Sequence, residues 1–318
     1  MKISVLIPVY NAGKYVEDAV DSALKQEEVE EIILVEDGSH DNSLAICKRI
    51  AKENGKVKLF QHPRGKNRGA GATRNLCIKK ATQEYVAFLD ADDFYLKNRF
   101  ERTKEVFKNN SEVDGVYEAI GVHLENERGK ELWQERRGRA LTTVSEVVEP
   151  ENLFLFLVLA GKGHFSLDGL TVKKEVLDKE RIWFNENLEI SQDTHFCLRL
   201  SLLKNLYPGS IDEPIAKRRV HGENRITKVN SKKMIGYQNF LWQSLKDQFK
   251  NKKIGFSNKA IISFMDYYYN KLEKISKNKN EVNANLYYFP LLIIFSLKRP
   301  FKGVSVFYNT SKYLIKRF

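Results

Sequence analysis

The stretch Tyr85–Asp93, which reads YVAFLDADD, decides the fold predicted for this chain. Its first five residues are apolar, partly aromatic and β-branched, and free of turn residues, as is typical of a buried strand. Asp90, Asp92 and Asp93 follow at once. Carboxylates crowded at a strand end repel one another and lose hydration, so they need a counter-charge. Because hard divalent cations prefer oxygen ligands, the stretch predicts a Mg²⁺ or Mn²⁺ site, with a solvated acidic turn as the alternative.

Three more apolar segments precede this stretch and alternate with helical patterns. The four predicted strands are Lys2–Val9, Glu31–Glu36, Val57–Gln61 and Tyr85–Leu89. A β-α-β rhythm with nearly continuous apolar strands is typical of an α/β protein, with a mostly parallel sheet covered by helices on both faces. Ligands of open sheets bind beyond the carboxyl ends of the strands, so the residues that follow these strands are expected to line one crevice.

Tyr10 and Asp37 follow the first and second strands and are therefore expected in that crevice. A tyrosine there would stack on a base, and an aspartate would accept a hydrogen bond from a base N–H or a ribose hydroxyl. The alternatives are an ordinary rim tyrosine and an Asx-turn at Asp37-Gly38. The basic loop Gly65–Gly71 opens a helix, which favours phosphate, but a solvated loop is the simpler interpretation.

The pattern changes after Asp93. A strand is predicted at Val113–Leu124, followed by a charged connection and, later, an edge-like strand at Pro214–Val220. Asp193 is expected at the N-terminus of a helix that continues through Leu203. The helix dipole stabilises a carboxylate at that position, where helix capping is the alternative role.

Composition and charge narrow the class of protein. Three widely spaced cysteines form no C-x-x-C pair, which argues against a disulfide framework or a zinc site and fits a cytoplasmic protein. No apolar run approaches about 20 residues, so no membrane span is predicted. The net charge of +12 is uneven, because residues 231–318 hold 17 lysines and arginines against 4 acidic residues. This tail is expected to meet an anionic surface, and its apolar run 286–297 suits a membrane interface; packing on the body is the alternative.

Six short segments stand in order along the chain. They are Ile7–Asn11 (IPVYN), Val35–Ser43 (VEDGSHDNS), Gly71–Asn75 (GATRN), Phe88–Asp93 (FLDADD), Gln192–Phe196 (QDTHF) and Arg219–Asn224 (RVHGEN). As a set they strongly resemble the family 2 inverting glycosyltransferases with a GT-A fold, which use nucleotide-sugar donors. The resemblance covers about residues 1–225. It implies a nucleotide-sugar-binding half at 1–110 and an acceptor-side half at 111–225, followed by a helical, basic, aromatic-rich region at 226–318.

The resemblance also implies roles for particular residues. Those that match the donor and nucleotide site are Pro8, Tyr10, Asp37, Arg74, Asp90 and Ala91. Asp90 and Asp92 match the D-x-D motif, in which the later aspartate typically holds the Mn²⁺ or Mg²⁺ that bridges the donor diphosphate. His221 matches a position that helps to bind metal or diphosphate in some relatives. Asp193 matches the general base, although Gln192 stands where a glutamate commonly precedes that base.

The implied activity is inverting transfer of a sugar from a nucleotide-diphosphate donor to an acceptor hydroxyl. A UDP-sugar is the default donor by frequency in the family, and a glycan or lipid-linked glycan acceptor fits assembly of bacterial surface polysaccharides. The basic tail at 231–318 would then bring a cytoplasmic protein to the cytoplasmic membrane face. The alternatives are a nucleotidyltransferase and a nucleic-acid-binding protein that uses the tail. Nucleic-acid binding leaves the acidic cluster unexplained, so no nucleic acid partner is expected.

Overall fold

A computed structural model describes residues 1–135, 140–159, 163–221 and 231–277. Its strands are β1 (Ile3–Val9), β2 (Val29–Glu36), β3 (Val57–Gln61), β4 (Tyr85–Phe88), β5 (Phe94–Tyr95), β6 (Gly115–Tyr117), β7 (Ile120–Leu124), β8 (Leu170–Lys173), β9 (Leu206–Pro208) and β10 (Ala216–Val220). The helices are α1 (Val16–Leu24), α2 (Ser43–Glu53), α3 (Gly69–Lys80), α4 (Glu101–Asn109), α5 (Glu127–Glu135), α6 (Pro150–Leu159), α7 (Lys174–Lys179), α8 (Gln192–Leu203), α9 (Ser231–Phe249) and α10 (Phe256–Lys277).

The main sheet has the strand order β3-β2-β1-β4-β8-β6-β9. The pairs β3–β2, β2–β1, β1–β4 and β6–β9 are parallel, while β8 is antiparallel to both of its neighbours. One buried cluster joins one face of the sheet to α3, and a second joins the opposite face to α1 and α2. The predicted mostly parallel α/β sheet with helices on both faces is therefore confirmed.

A second sheet, with the order β5-β10-β7, accounts for two wrong predictions. The strand expected at Val113–Leu124 is broken at Glu118-Ala119, where the chain passes from β6 in the main sheet to β7 in the second sheet. Pro214–Val220 was expected at an edge, but β10 lies between β5 and β7. In addition, the charged connection expected after Leu124 contains helix α5.

The C-terminal helices pack on the body of the protein. Side chains of α9 and α10 share a buried cluster with α6 and α8, centred on Leu241, Trp242, Leu245 and Ile261. No described helix is long and apolar enough to cross a membrane. The apolar run 286–297 and the segment Gly222–Asn224 of the last motif lie outside the described residues.

Candidate active site at the carboxyl edge of the sheet

The carboxyl ends of β1, β2 and β4 lie side by side. Strand β1 is hydrogen-bonded in parallel register to β2 on one side and to β4 on the other. The loops that begin at Tyr10, Asp37 and Asp90 therefore open on one edge of the sheet. Pro8 lies at the same end of β1, opposite Val35 of β2. The structure thus brings together the residues that were expected to share a crevice.

Three carboxylates converge behind the loop that follows β4. Asp90, Asp93 and Asp168 offer oxygen atoms that all lie within 4.8 Å of one another. Asp168 Oδ1 accepts a hydrogen bond from the backbone N–H of Asp90 at 2.9 Å, which fixes the start of the loop. Asp93 and Asp168 are buried, whereas the side chain of Asp90 is 40% exposed. The cluster is therefore open to ligands on the Asp90 side.

The two buried members of the cluster bind protons more tightly than ordinary carboxylates. Burial, followed by the charge of Asp90, raises the pKa of Asp168 to about 6. Burial, followed by the charge of Asp168, raises the pKa of Asp93 well above its usual range. A hydrogen bond joins these two carboxyl groups, and protonation of either one removes the repulsion between them. A divalent cation bound beside Asp90 would reduce the same repulsion without a proton.

Two arginines balance the charge of the cluster. Arg74, on α3, donates from Nη2 to Asp90 Oδ1 at 2.5 Å, and Arg218, on β10, donates to Ser166 Oγ at 3.1 Å. Burial lowers the pKa of each guanidinium group, but the surrounding carboxylates outweigh burial and raise the pKa of both. Asp90 and Asp193 are among those carboxylates for both arginines. Asp193 therefore shares the electrostatic environment of the cluster.

Asp92 belongs to a neighbouring carboxylate–imidazole pair. Its Oδ2 lies 3.3 Å from His221 Nε2. His221 is buried, and its ring centroid lies 4.9 Å from that of Tyr15. The metal-binding set predicted from the sequence, Asp90, Asp92 and His221, is thus divided in this structure between the three-carboxylate cluster and the Asp92–His221 pair.

Arg219, on β10, contacts both the three-carboxylate cluster and the Asp92–His221 pair. Its backbone N–H donates to Asp93 Oδ1 at 2.8 Å, and its Nε donates to the backbone carbonyl of Asp92 at 3.0 Å. The rest of its guanidinium group reaches Glu125 at 2.8 Å and Asp18 at 3.0 Å. The second sheet therefore fixes the acidic loop of the first.

The carboxylate of Asp37 caps helix α3. Its Oδ1 accepts the backbone N–H of Arg68 at 2.7 Å, and its Oδ2 accepts the N–H of Gly69 at 2.9 Å. N–H groups at a helix start attract anions, and here an internal carboxylate takes that place instead of a phosphate. Each carboxylate oxygen retains a second lone pair for a ligand donor. Tyr10, by contrast, is 46% exposed, and its ring lies at 74° to that of His40 with 6.3 Å between centroids.

Asp193 lies in the first turn of α8 and is exposed, where the sequence predicted it. Its Oδ1 accepts the backbone N–H of Thr194 at 2.8 Å. The preceding Gln192 is buried, and its Oε1 has no hydrogen-bond partner among the described residues. Gln192 packs against Gly71 of α3, where an added Cβ would lie 2.9 Å from that oxygen. Close packing of α3 against α8 therefore sets the distance between Arg74 on α3 and Asp193 on α8.

Asp168 and Arg218 had no predicted role, and Asp93 was predicted only as one of three clustered carboxylates. Asp93 ends the opening stretch, but nothing local distinguishes it from the exposed carboxylates beside it. Asp168 precedes the short apolar strand β8, which pairs antiparallel with β4. Only that long-range pairing brings Asp168 to Asp90, so an acidic residue two positions before an apolar strand was the one local signal.

Comparison with known proteins gives related sequences and related folds. Residues 4–155 match the family described as Glycosyl transferase family 2. An uncharacterized glycosyltransferase of Rickettsia conorii is 28% identical over 282 residues, which cover 88% of this chain and 42% of that protein. The chain thus spans less than half the length of that relative.

Two solved structures share the fold. TarS 1–349 of S. aureus, in complex with UDP-GlcNAc, has a TM-score of 0.65 and 20% identity, covering 88% of this chain and 77% of that one. The mannosyltransferase PcManGT of Pyrobaculum calidifontis, in complex with GDP-Man and Mn²⁺, has a TM-score of 0.56 and 14% identity, covering 100% of this chain and 88% of that one.

Proposed function

The chain belongs to glycosyltransferase family 2, and on that basis we propose that it is a metal-dependent inverting enzyme that transfers a sugar from a nucleotide-diphosphate donor to an acceptor hydroxyl. One observation carries this proposal: Arg74, on α3, donates to Asp90, while Gly71 of the same helix packs against Gln192, the residue before the exposed Asp193. A candidate base and a candidate cation site therefore lie near each other, as displacement at an anomeric carbon requires.

The residues present fit Mn²⁺ or Mg²⁺. Asp90 shares a cluster with the carboxylates of Asp93 and Asp168, and Asp92 lies beside His221. Oxygen is the ligand atom that hard cations prefer. We assign the ion to Asp92 and Asp90 with His221, while Asp93 and Asp168 supply negative charge behind them. When bound there, the cation would neutralise charge that develops on the departing nucleoside diphosphate.

The donor would lie across the carboxyl edge of the sheet. The residues assigned to it are Pro8, Tyr10, Asp37, Arg74, Asp90 and Ala91. The exposed ring of Tyr10 offers a stacking surface for the base. Arg74 supplies a fixed positive charge, because its ion pair with Asp90 and its position 5.6 Å from the Phe184 ring hold the guanidinium group in one place. The nucleotides bound by TarS and PcManGT guide the choice of UDP- and GDP-sugars as probes.

Asp193 is assigned as the general base. Its carboxylate accepts the proton of the acceptor hydroxyl while the hydroxyl oxygen forms a bond to the anomeric carbon from the face opposite the leaving group. The bond from that carbon to the diphosphate oxygen breaks, and its electron pair leaves with the nucleoside diphosphate. Attack from the opposite face inverts the anomeric configuration.

The test combines binding and turnover. Thermal stability is measured with UDP-GlcNAc and GDP-mannose in Mn²⁺, Mg²⁺ or EDTA, and nucleotide release is measured with the sugar that stabilises the protein. We expect Asp193→Asn to retain donor stabilisation and to lose turnover, whereas Asp21→Asn, an exposed change on α1, retains both. Turnover near that of the wild type in Asp193→Asn would overturn the assigned base. If neither sugar stabilises the protein, the assigned donor class is wrong.

The domain division is also proposed: a transferase body at 1–225 and a helical basic region from 226. Contact of the latter with an anionic membrane face would place the enzyme beside a lipid-linked glycan acceptor in bacterial surface-polysaccharide assembly. The turn between α9 and α10 supports this location, because Lys250, Lys252 and Lys253 are exposed beside Phe256, which is 79% exposed. Flotation with phosphatidylglycerol vesicles at low salt, and none with phosphatidylcholine vesicles, is the expected result; sedimentation with both would refute membrane contact.

A further inference from the structure

Helix α9 contacts the turn that leads into α8. Gln238 Nε2 donates to Ser191 Oγ at 3.2 Å, and the Tyr237 hydroxyl donates to Glu189 Oε2 at 3.0 Å. Ser191 is the N-cap residue of α8 and lies two positions before Asp193. Side chains of α9 thus hold the entry to the helix that carries the proposed base.

A second contact lies one and a half turns further along α9. Asn185 Nδ2 donates to Ser244 Oγ at 3.0 Å, and Ser244 Oγ lies 3.2 Å from His195 Nε2. Burial, together with the nearby charge of Arg199, lowers the pKa of His195 to about 3. The imidazole is therefore neutral at physiological pH, and its Nε2 lies within hydrogen-bond distance of the Ser244 hydroxyl. One serine on α9 consequently joins the chain before α8 to the first turn of α8.

The backbone at Ser191 explains why this support matters. Its φ of +64° lies in the left-handed region, which a serine rarely adopts. Its side chain makes no capping bond to the helix, while its carbonyl accepts the N–H of His195 at 2.9 Å. A strained residue of this kind persists when its surroundings fix it from several sides, and Gln238 and Ser244 belong to those surroundings.

We propose that Gln238 and Ser244 are positioning residues, which fix the first turn of α8 and thereby the direction of the Asp193 carboxylate. The inference rests on the proposed role of Asp193. Within the described chain, the hydrogen bonds of these two side chains run to residues 185–195 and not to the acidic cluster. Removing these hydrogen bonds therefore lowers turnover and leaves donor affinity unchanged. A general loss of stability would lower both.

The variants are Gln238→Met, which keeps the side-chain length but cannot donate a hydrogen bond, and Ser244→Ala. Gln243→Met, at an exposed position of the same helix, is the matched control. Ser244→Thr keeps the hydroxyl and serves as the rescue variant. Hydrogen exchange of the segment 185–196 is measured in the full chain, together with nucleotide release and the dissociation constant for UDP-GlcNAc or GDP-mannose.

We expect Gln238→Met and Ser244→Ala to exchange faster at 191–196 and to lose about tenfold in kcat with donor affinity unchanged. Gln243→Met and Ser244→Thr should behave as the wild type. Unchanged exchange at 191–196 in both variants would overturn the positioning role. If exchange rises but Asp193→Asn retains full turnover, the positioning holds and the assigned base fails, so the two proposals fail separately.

Discussion

Removing the charge of Asp168 should change how the stability of the metal-free protein depends on pH. The unfolded pKa of an aspartate, 3.8, rises to about 6 for Asp168 in the folded protein. Because this folded pKa is raised, its stabilisation is present in full below pH 3.8 and is lost as the pH rises toward 6. At about 1.4 kcal/mol per pKa unit, the loss amounts to about 3 kcal/mol. For a chain of this size, that corresponds to a Tm change of about 5–10 °C.

The substitution Asp168→Asn isolates this effect. An asparagine Oδ1 still accepts the N–H of Asp90, but it carries no charge to desolvate. In EDTA, we expect the Tm of the wild type to fall between pH 5 and pH 7.5 by about 3–5 °C more than that of Asp168→Asn, because about 1.4 kcal/mol of the total is lost above pH 5. At pH 7.5, Mn²⁺ should raise the Tm of the wild type more than that of the variant, because a cation bound at Asp90 would offset the charge of the neighbouring Asp168 carboxylate, which the variant lacks.

The assay is a thermal-unfolding series over this pH range, with and without Mn²⁺. Asp21→Asn, exposed on α1, is the control for a generic loss of one negative charge. Parallel pH profiles for the wild type and Asp168→Asn would refute the reasoning, since they would show that the Asp168 carboxylate is not penalised by burial. A Tm of Asp168→Asn below that of the wild type at pH 7.5 in EDTA would also refute the reasoning.

Two further predictions concern packing and a buried ion pair. Gly71→Ala places a Cβ 2.9 Å from Gln192 Oε1, so unfolding experiments should show a loss of about 1–3 kcal/mol, while Gly55→Ala, which meets nothing within 4 Å, should show little change. Arg99→Met leaves Glu118 buried without its 2.9 Å partner and should cost about 3–5 kcal/mol by denaturant titration; a loss below about 1 kcal/mol would contradict a buried charge there.

The sequence was sufficient where local patterns decide the structure. The four apolar segments from β1 to β4 alternate with helical segments, and this alternation alone places Tyr10, Asp37 and Asp90 at one edge of a sheet. The position of Asp193 at the start of α8 was predicted in the same way, because a helix start is a local feature.

The wrong or incomplete predictions all depend on contacts between distant residues. Val113–Leu124 is apolar enough for one strand, but Glu118 is held by Arg99 and the chain changes sheets beside it. Asp37 caps a helix whose start lies about thirty residues further along the chain. Asp168 reaches Asp90 across 78 positions. No local window contains both members of such pairs, so periodicity and turn signals cannot reveal them.

The long-range contacts of Arg219 determine when, during synthesis, the acidic loop gains its support. Its guanidinium group bonds to Asp18, and its backbone bonds to Asp93, across 201 and 126 positions of the chain. The ribosome synthesises the first strands and their helices long before it synthesises β10. The nascent chain therefore carries the acidic loop without its support until residue 219 emerges. The candidate site is therefore completed late in translation, after most of the strands that frame it have been synthesised.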